Sequence, residues 1–266
     1  MTQTSTQPTY FTPVKSSLQQ DRGGLLLSDA NVLLQVQQAT LFFGERLLWQ
    51  DVTFDIHTAE FVALIGANGT GKTTLLQSLL GLLPLSKGTI ITAQGTKIGY
   101  VPQLKNFDPK LPIRGRDLVQ LGLDGQNLLF GTIDLKKTFG HYWMSRKQKN
   151  YRVDKAIAEV GGQAFADAPL NMLSGGEQQR MRIAQALVSE PDLLLMDEPL
   201  LSLDVKSQQI VCDILAHRKT AHRTAVLMIS HEIVPITPLV DTVVLINNQH
   251  ADVGDKSLLT SSMLWS

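Results

Sequence analysis

The sequence predicts an α/β domain with a mainly parallel sheet covered by helices on both faces. Two apolar runs, Phe61-Val62-Ala63-Leu64-Ile65 and Leu193-Leu194-Leu195-Met196, lack the polar alternation of half-exposed strands and read as strands buried on both faces. Strand and helix signals alternate through the C-terminal half. A glycine-rich turn joins the first apolar run to a helix. The 266 residues are enough to bury a core without staples. Lys and Arg number 24, as do Asp and Glu, so the formal charge is zero, which argues against a polyanion surface and against nucleic acid as a partner. With 43% hydrophobic and 18% charged residues the composition is globular. The single Cys212 excludes an intrachain disulfide and a cysteine metal cluster, and reads as a small core residue.

Taken in order, residues 1–30 read as a flexible leader, because fourteen of the first twenty are Thr, Gln, Ser or Pro and cannot repay ordering entropy by burial. They lack the apolar core of a signal peptide. No apolar run approaches the roughly 18 residues of a membrane span, so the expected location is cytoplasmic. Order is expected from Val32. Residues 51–56 alternate, with Val52, Phe54 and Ile56 on one face, as a half-buried strand does. The run at 61–65 follows, then a helix over 72–82 closed by Pro84, and short strands at 89–92 and 97–101. Residues 105–170 form a helical subdomain, with helices expected at 115–122, 133–139 and 152–160. After Ser174 come a helix, a strand at 193–196, a helix at 205–219, a strand at 225–229, a further helix and a strand at 242–246.

Three motifs carry chemistry. Gly66-Ala67-Asn68-Gly69-Thr70-Gly71-Lys72-Thr73 fits G-x-x-x-x-G-K-[ST] between a strand and a helix. Its glycines let backbone N–H groups turn toward phosphates at a helix start. Lys72 is expected on the β- and γ-phosphates, and the Thr73 hydroxyl on Mg²⁺. Asp197, ending the strand at 193–196, is expected to hold Mg²⁺ through water, and Glu198 to orient or activate the attacking water. These two motifs describe a P-loop nucleotide hydrolase and nothing narrower. In Leu173-Ser174-Gly175-Gly176-Glu177-Gln178-Gln179-Arg180, Ser174 and Glu177 have capping-box spacing. Gly175 and Gly176 weaken the first turn of that helix. They make sense if a phosphate approaches the backbone, which points to a second anion site.

In this order the motifs resemble those of the ATP-binding subunit of ABC transporters, over about 32–253. The resemblance implies a P-loop NTPase core with a mainly parallel sheet, an N-terminal antiparallel β subdomain and an inserted helical subdomain at about 104–190, all within 31–256, and a tail at 257–266. It implies ATP hydrolysis, with ATP and Mg²⁺ as cofactors. It also implies a head-to-tail homodimer, in which each ATP lies between one P-loop (66–74, with Thr74 included) and the partner's Ser174, Gly175, Gly176 and Glu177. Gln103 matches the glutamine that senses Mg²⁺ and the membrane partner, His231 the switch histidine near the γ-phosphate, and Asp204 the loop crossing the dimer interface. Phe43 matches the aromatic that stacks on adenine, with Phe42 as the alternative. This chain departs from the pattern at Glu232, where Asp is usual, and at Leu200 and Leu201, where small or hydroxyl residues are common.

The spacing of Lys72 and Asp197 leaves no room for a long coiled-coil insertion, and one P-loop with one signature is half of a duplicated protein. That build resembles a bacterial importer ATPase, peripheral on the inner face of the membrane under permease subunits, with an extracytoplasmic solute-binding protein as an indirect partner. Asp108-Pro109-Lys110-Leu111-Pro112, then Arg116-Asp117-Leu118-Val119 and Gly122, is similar to manganese-, zinc- and iron-uptake ATPases. So is 231–241, with Pro235 and Leu239-Val240-Asp241. Siderophore or cobalamin import is the alternative cargo. A non-transport switch driven by ATP-dependent dimerisation is the alternative class.

Overall fold

The computed structural model describes residues 29–103, 113–124 and 144–262. The leader up to residue 28, the segment at 108–112 and the helix expected at 133–139 lie outside them.

Two sheets stack. Strands β1 (Val32–Phe43), β2 (Arg46–His57) and β4 (Lys87–Thr92) form an antiparallel sheet in the order β2-β1-β4. The second sheet contains β3 (Phe61–Gly66), β5 (Ile98–Val101), β6 (Leu193–Asp197), β7 (Ala225–Ile229), β8 (Thr242–Asn247) and β9 (His250–Gly254), in the order β5-β6-β7-β3-β8-β9. It is parallel except for β9, which pairs antiparallel with β8. The helices are α1 (Lys72–Leu79), α2 (Gly115–Asp124), α3 (Arg146–Glu159), α4 (Gly175–Leu187), α5 (Val205–Ala221), α6 (Ile233–Ile236) and α7 (Ser257–Ser262).

The continuous apolar runs are explained by two cores, one on each face of the parallel sheet. Phe61, Ala63 and Ile65 point into a core shared with Leu118, Met181 and Leu215, while Val62 and Leu64 point into one shared with Val36, Trp49 and Leu75. Strand β6 divides the same way, Leu194 and Met196 against Leu193 and Leu195. A strand with a core on either side has no position left for a polar side chain. Cys212 is 3% exposed in the first core, and burial pushes its thiol up to about 11.

The structure differs from the sequence reading at element ends. Helix α1 stops at Leu79, short of residue 82. Gly81 takes φ +71°, its N–H reaches the Ser78 carbonyl and that of Leu82 reaches the Gln77 carbonyl, so a left-handed glycine stop acts before Pro84. Helix α3 begins at Arg146, before the expected 152, on a Ser145–Gln148 capping box; only Val153, Ala156 and Ile157 of this helix are buried, so its polar first half carries no apolar period. Strand β9 and helix α7 were not expected, and Leu259 of α7 joins the core, 2% exposed.

The helices around α4 pack at backbone contact. A Cβ at Gly122 of α2 would lie 2.1 Å from the Gln185 carbonyl oxygen, and one at Gly162 would lie 2.2 Å from Met181 Cε. Arg180 of α4 donates to the Val160 and Gly161 carbonyls at 3.3 and 3.1 Å and stacks 4.6 Å over the Phe165 ring. Helix α4 is thereby held to α2 and to the end of α3.

Candidate functional site at the strand ends

Strand order alone gathers the motifs. β5, β6, β7 and β3 are neighbours and parallel, so the residues that follow them emerge at one edge. Ligands of open α/β sheets bind at that carboxyl edge. Gln103 lies just past β5, Asp197 ends β6 with Glu198 next in the chain, His231 follows β7, and the glycine-rich loop follows β3.

The loop is shaped by what its glycines avoid and permit. A Cβ at Gly66 would lie 2.5 Å from the Ile246 carbonyl oxygen of β8. Gly69 has open space around it but takes φ +77°, a conformation that L side chains disfavour. Ala67, Asn68 and Gly69 are exposed and Thr70 closes the turn, its hydroxyl donating to the Ala67 carbonyl at 2.9 Å. The Lys72 ammonium is buried and donates to the Gly66 and Ala67 carbonyls at 2.8 and 3.0 Å. Burial lowers its pKa, while Glu198 and Asp197 pull the other way. Thr74, half-buried, continues α1.

Behind the loop, the Thr73 hydroxyl donates to Asp197 Oδ1 at 3.3 Å. Asp197 is 3% exposed, and burial raises its pKa, with the Thr73 hydrogen bond opposing and Glu198 adding to the rise. Glu198 sits at φ +48°, its N–H on the Ile229 carbonyl at 3.0 Å. That turn sets its carboxylate between two partners: Gln103 Nε2 donates to Oε2 at 3.1 Å, and His231 Nε2 lies 3.4 Å from Oε1. Lys72, Thr73, Gln103, Asp197, Glu198 and His231 therefore form one cluster, with a cation, a hydroxyl and two carboxylates beside a loop of backbone N–H groups.

The remaining residues form a second cluster. Ser174 caps α4 in a complete capping box: its Oγ accepts from Glu177 N at 3.3 Å, and Glu177 Oε2 accepts from Ser174 N at 2.8 Å. The bonds that Ser174 N and the Ser174 hydroxyl, also at 2.8 Å, donate to that carboxylate hold it below its usual range. Asp204 caps α5, accepting from Ser207 N and Oγ, both at 2.9 Å. Among the described residues no hydrogen bond or ion pair joins this cluster to the phosphate loop.

The second cluster corrects one expectation. Room for a phosphate was the reason given for both glycines, but a Cβ at Gly176 would lie 2.3 Å from Ser207 Oγ, so there the space is filled by the same chain. At Gly175 the nearest neighbour, Leu203 Cδ2, is 3.9 Å away, and that residue is exposed. Gly176→Ala is expected to destabilise the protein by about 1–3 kcal/mol. Ser207→Gly in the same chain should recover part of that loss in a thermal double-mutant cycle, whereas additive losses would refute the contact. Phe43 and Phe42 end β1 and are 73% and 44% exposed, so neither belongs to the core. Sequence reasoning missed Trp49, wholly buried beneath the loop, whose indole Nε1 donates to the Gly71 carbonyl at 3.4 Å. The alternation of 51–56 would place it on the face opposite Val52, three residues on; the irregularity at Asp51, φ +54°, brings both side chains into the core.

The chain is similar to known proteins over most of its length. The family described as ABC transporter matches residues 49–201. A zinc import ATP-binding protein of Hahella chejuensis is 33% identical over 222 residues, 84% of this chain and 77% of that protein. A zinc import ATP-binding protein of Ruegeria sp. is 34% identical over 230 residues, 86% of this chain and 83% of that one. The inward-facing structure of a putative metal-chelate type ABC transporter has a chain 26% identical to this one, with a TM-score of 0.73 over 86% of this chain and 85% of that chain.

Proposed function

Because this chain belongs to the ABC transporter family, as an ATP-hydrolysing subunit, we propose that two copies pair head to tail beneath a membrane permease and power the import of a metal ion, zinc first among the candidates. The observation that carries the mechanism is Glu198, held between Gln103 and His231 beside the Thr73–Asp197 pair.

Each residue's role follows from its chemistry. Backbone N–H groups of 66–71 and the Lys72 ammonium cradle the phosphates. Glu198 accepts the proton of the attacking water or fixes its direction, and Gln103 and His231 hold the carboxylate in line. Mg²⁺ fits here. Thr73 and Asp197 offer a hydroxyl and a carboxylate, hard oxygen donors of the kind Mg²⁺ takes together with phosphate oxygens and water. Its charge would offset the burial that raises the pKa of Asp197. Held by Thr73 and Asp197, the ion would supply positive charge against the transferring phosphoryl group. Phe43, or Phe42 beside it, carries adenine. The exposed N-terminus of α4, with Ser174 and Gly175, meets the ATP held by the partner's loop, and Asp204 crosses the same seam.

The segment between Gln103 and Leu173 is assigned to the permease, because Gln103 ties it to Glu198 and the metal site. The chain then sits on the inner face of the membrane, with a solute-binding protein on the other side. None of its described helices is long and apolar enough to cross the membrane itself. The metal cargo rests on the names of the relatives and on the metal-uptake-like stretches at 108–122 and 231–241. Expressed with its permease, the chain should copurify with it and restore zinc uptake to cells lacking their own importer. Restored uptake of a siderophore without zinc would move the assignment to the alternative cargo, and failure to copurify with any integral-membrane protein would favour the dimerisation switch.

A further inference from the structure

We propose that Trp49 is a positioning residue for the phosphate loop, through its indole N–H on the Gly71 carbonyl; the inference rests on the ATP-binding role of that loop. Gly71 is the N-cap of α1, at φ +88°, and no side chain caps this helix start. Its carbonyl accepts two donors, Leu75 N at 2.8 Å from within the helix and Trp49 Nε1 at 3.4 Å from β2. A carbonyl has two lone pairs, so both bonds can be held together. The peptide unit is planar, and its C=O and the following N–H point in opposite directions. Fixing the Gly71 carbonyl inward therefore turns the Lys72 N–H outward, into the cradle. That N–H is one of the helix-start donors on which phosphate binding depends.

Packing fixes the same geometry independently. A Cβ at Gly71 would lie 2.9 Å from Trp49 Nε1 and 3.1 Å from its Cδ1, so the loop rests directly on the indole. Trp49 is fully buried. In β1 its partner is Leu41, two residues before Phe43. One side chain thus links the end of the antiparallel sheet to the phosphate loop of the parallel one.

The test uses Trp49→Phe in the full chain, which keeps a large ring and removes the N–H, with binding of ATP and of inorganic triphosphate measured separately. Kd for both should rise about 2- to 10-fold, as expected for loss of one hydrogen bond. In turnover the change should appear in KM, with kcat nearly kept and the melting temperature within about 2–4 °C of wild type. Unchanged Kd for both ligands overturns the inference, as does a loss confined to ATP, which would place the effect on the adenine side. A fall in kcat and melting temperature together would make Trp49 merely structural. Should the variant fail to fold, the indole N–H resonance of wild-type Trp49, assigned with Trp143→Phe and Trp265→Phe proteins, is expected to shift on adding triphosphate; a fixed resonance overturns the proposal. Failure of wild type to bind ATP would instead sink the reading on which this inference rests.

Discussion

Glu198→Gln is expected to lower ATP turnover by about 10²- to 10⁴-fold, the usual worth of a positioned general base, while ATP still binds. The substitution is close to isosteric. The amide oxygen can still accept from Gln103 Nε2, and a neutral His231 can accept from the new amide, so the bracket around the side chain survives. Lys72, Thr73 and Asp197 are untouched. What is lost is a carboxylate able to take a proton. An ATP-bound dimer should therefore accumulate, visible by size exclusion as a nucleotide-dependent shift. Turnover within a few-fold of wild type would remove Glu198 from the role of water-activating base.

Lys72→Ala is expected to act one step earlier, at binding. The ammonium is buried, so its removal deletes a charge from the loop rather than from solvent. Hydrogen bonds to charged groups are worth about 1.5–3 kcal/mol, which sets an expected loss of roughly 10- to 150-fold in ATP affinity. Equilibrium binding of a fluorescent ATP analogue reads the loss. Wild-type affinity would mean that the backbone of 66–71 binds the phosphates without Lys72.

Features local in sequence were the legible ones. The loop at 66–73, the Ser174–Glu177 capping box and the two-sided burial of β3 and β6 are each fixed by residues a few positions apart. Asp197 and Glu198 could be placed at the edge of the sheet because a buried strand ends there. Gln103 and His231 needed the family resemblance, since a glutamine or histidine after a short strand has no distinguishing pattern; strand order is what brings them to Glu198. The contact between Gly176 and Ser207 and that between Trp49 and Gly71 were not legible, because each pairs distant segments through packing. Strand β9 escaped notice because its burial does not alternate, and the first half of α3 because it buries nothing.

The central claim is that ATP is shared between the loop of one copy and the α4 N-terminus of another. Cysteines at Thr70 and Gly175 test it, with the crosslinker added to differently tagged copies in the presence and absence of ATP. Both sites suit the substitution: Thr70 contributes only a loop hydrogen bond, and a Cβ at Gly175 meets its nearest neighbour at an ordinary 3.9 Å. Cys212 is buried, with its thiol pushed up to about 11, so it stays silent. The expected result is a crosslink between differently tagged chains that forms with ATP, strengthens with Glu198→Gln and disappears with Lys72→Ala. Crosslinks confined to single chains, or formed equally without nucleotide, would contradict the head-to-tail composite site.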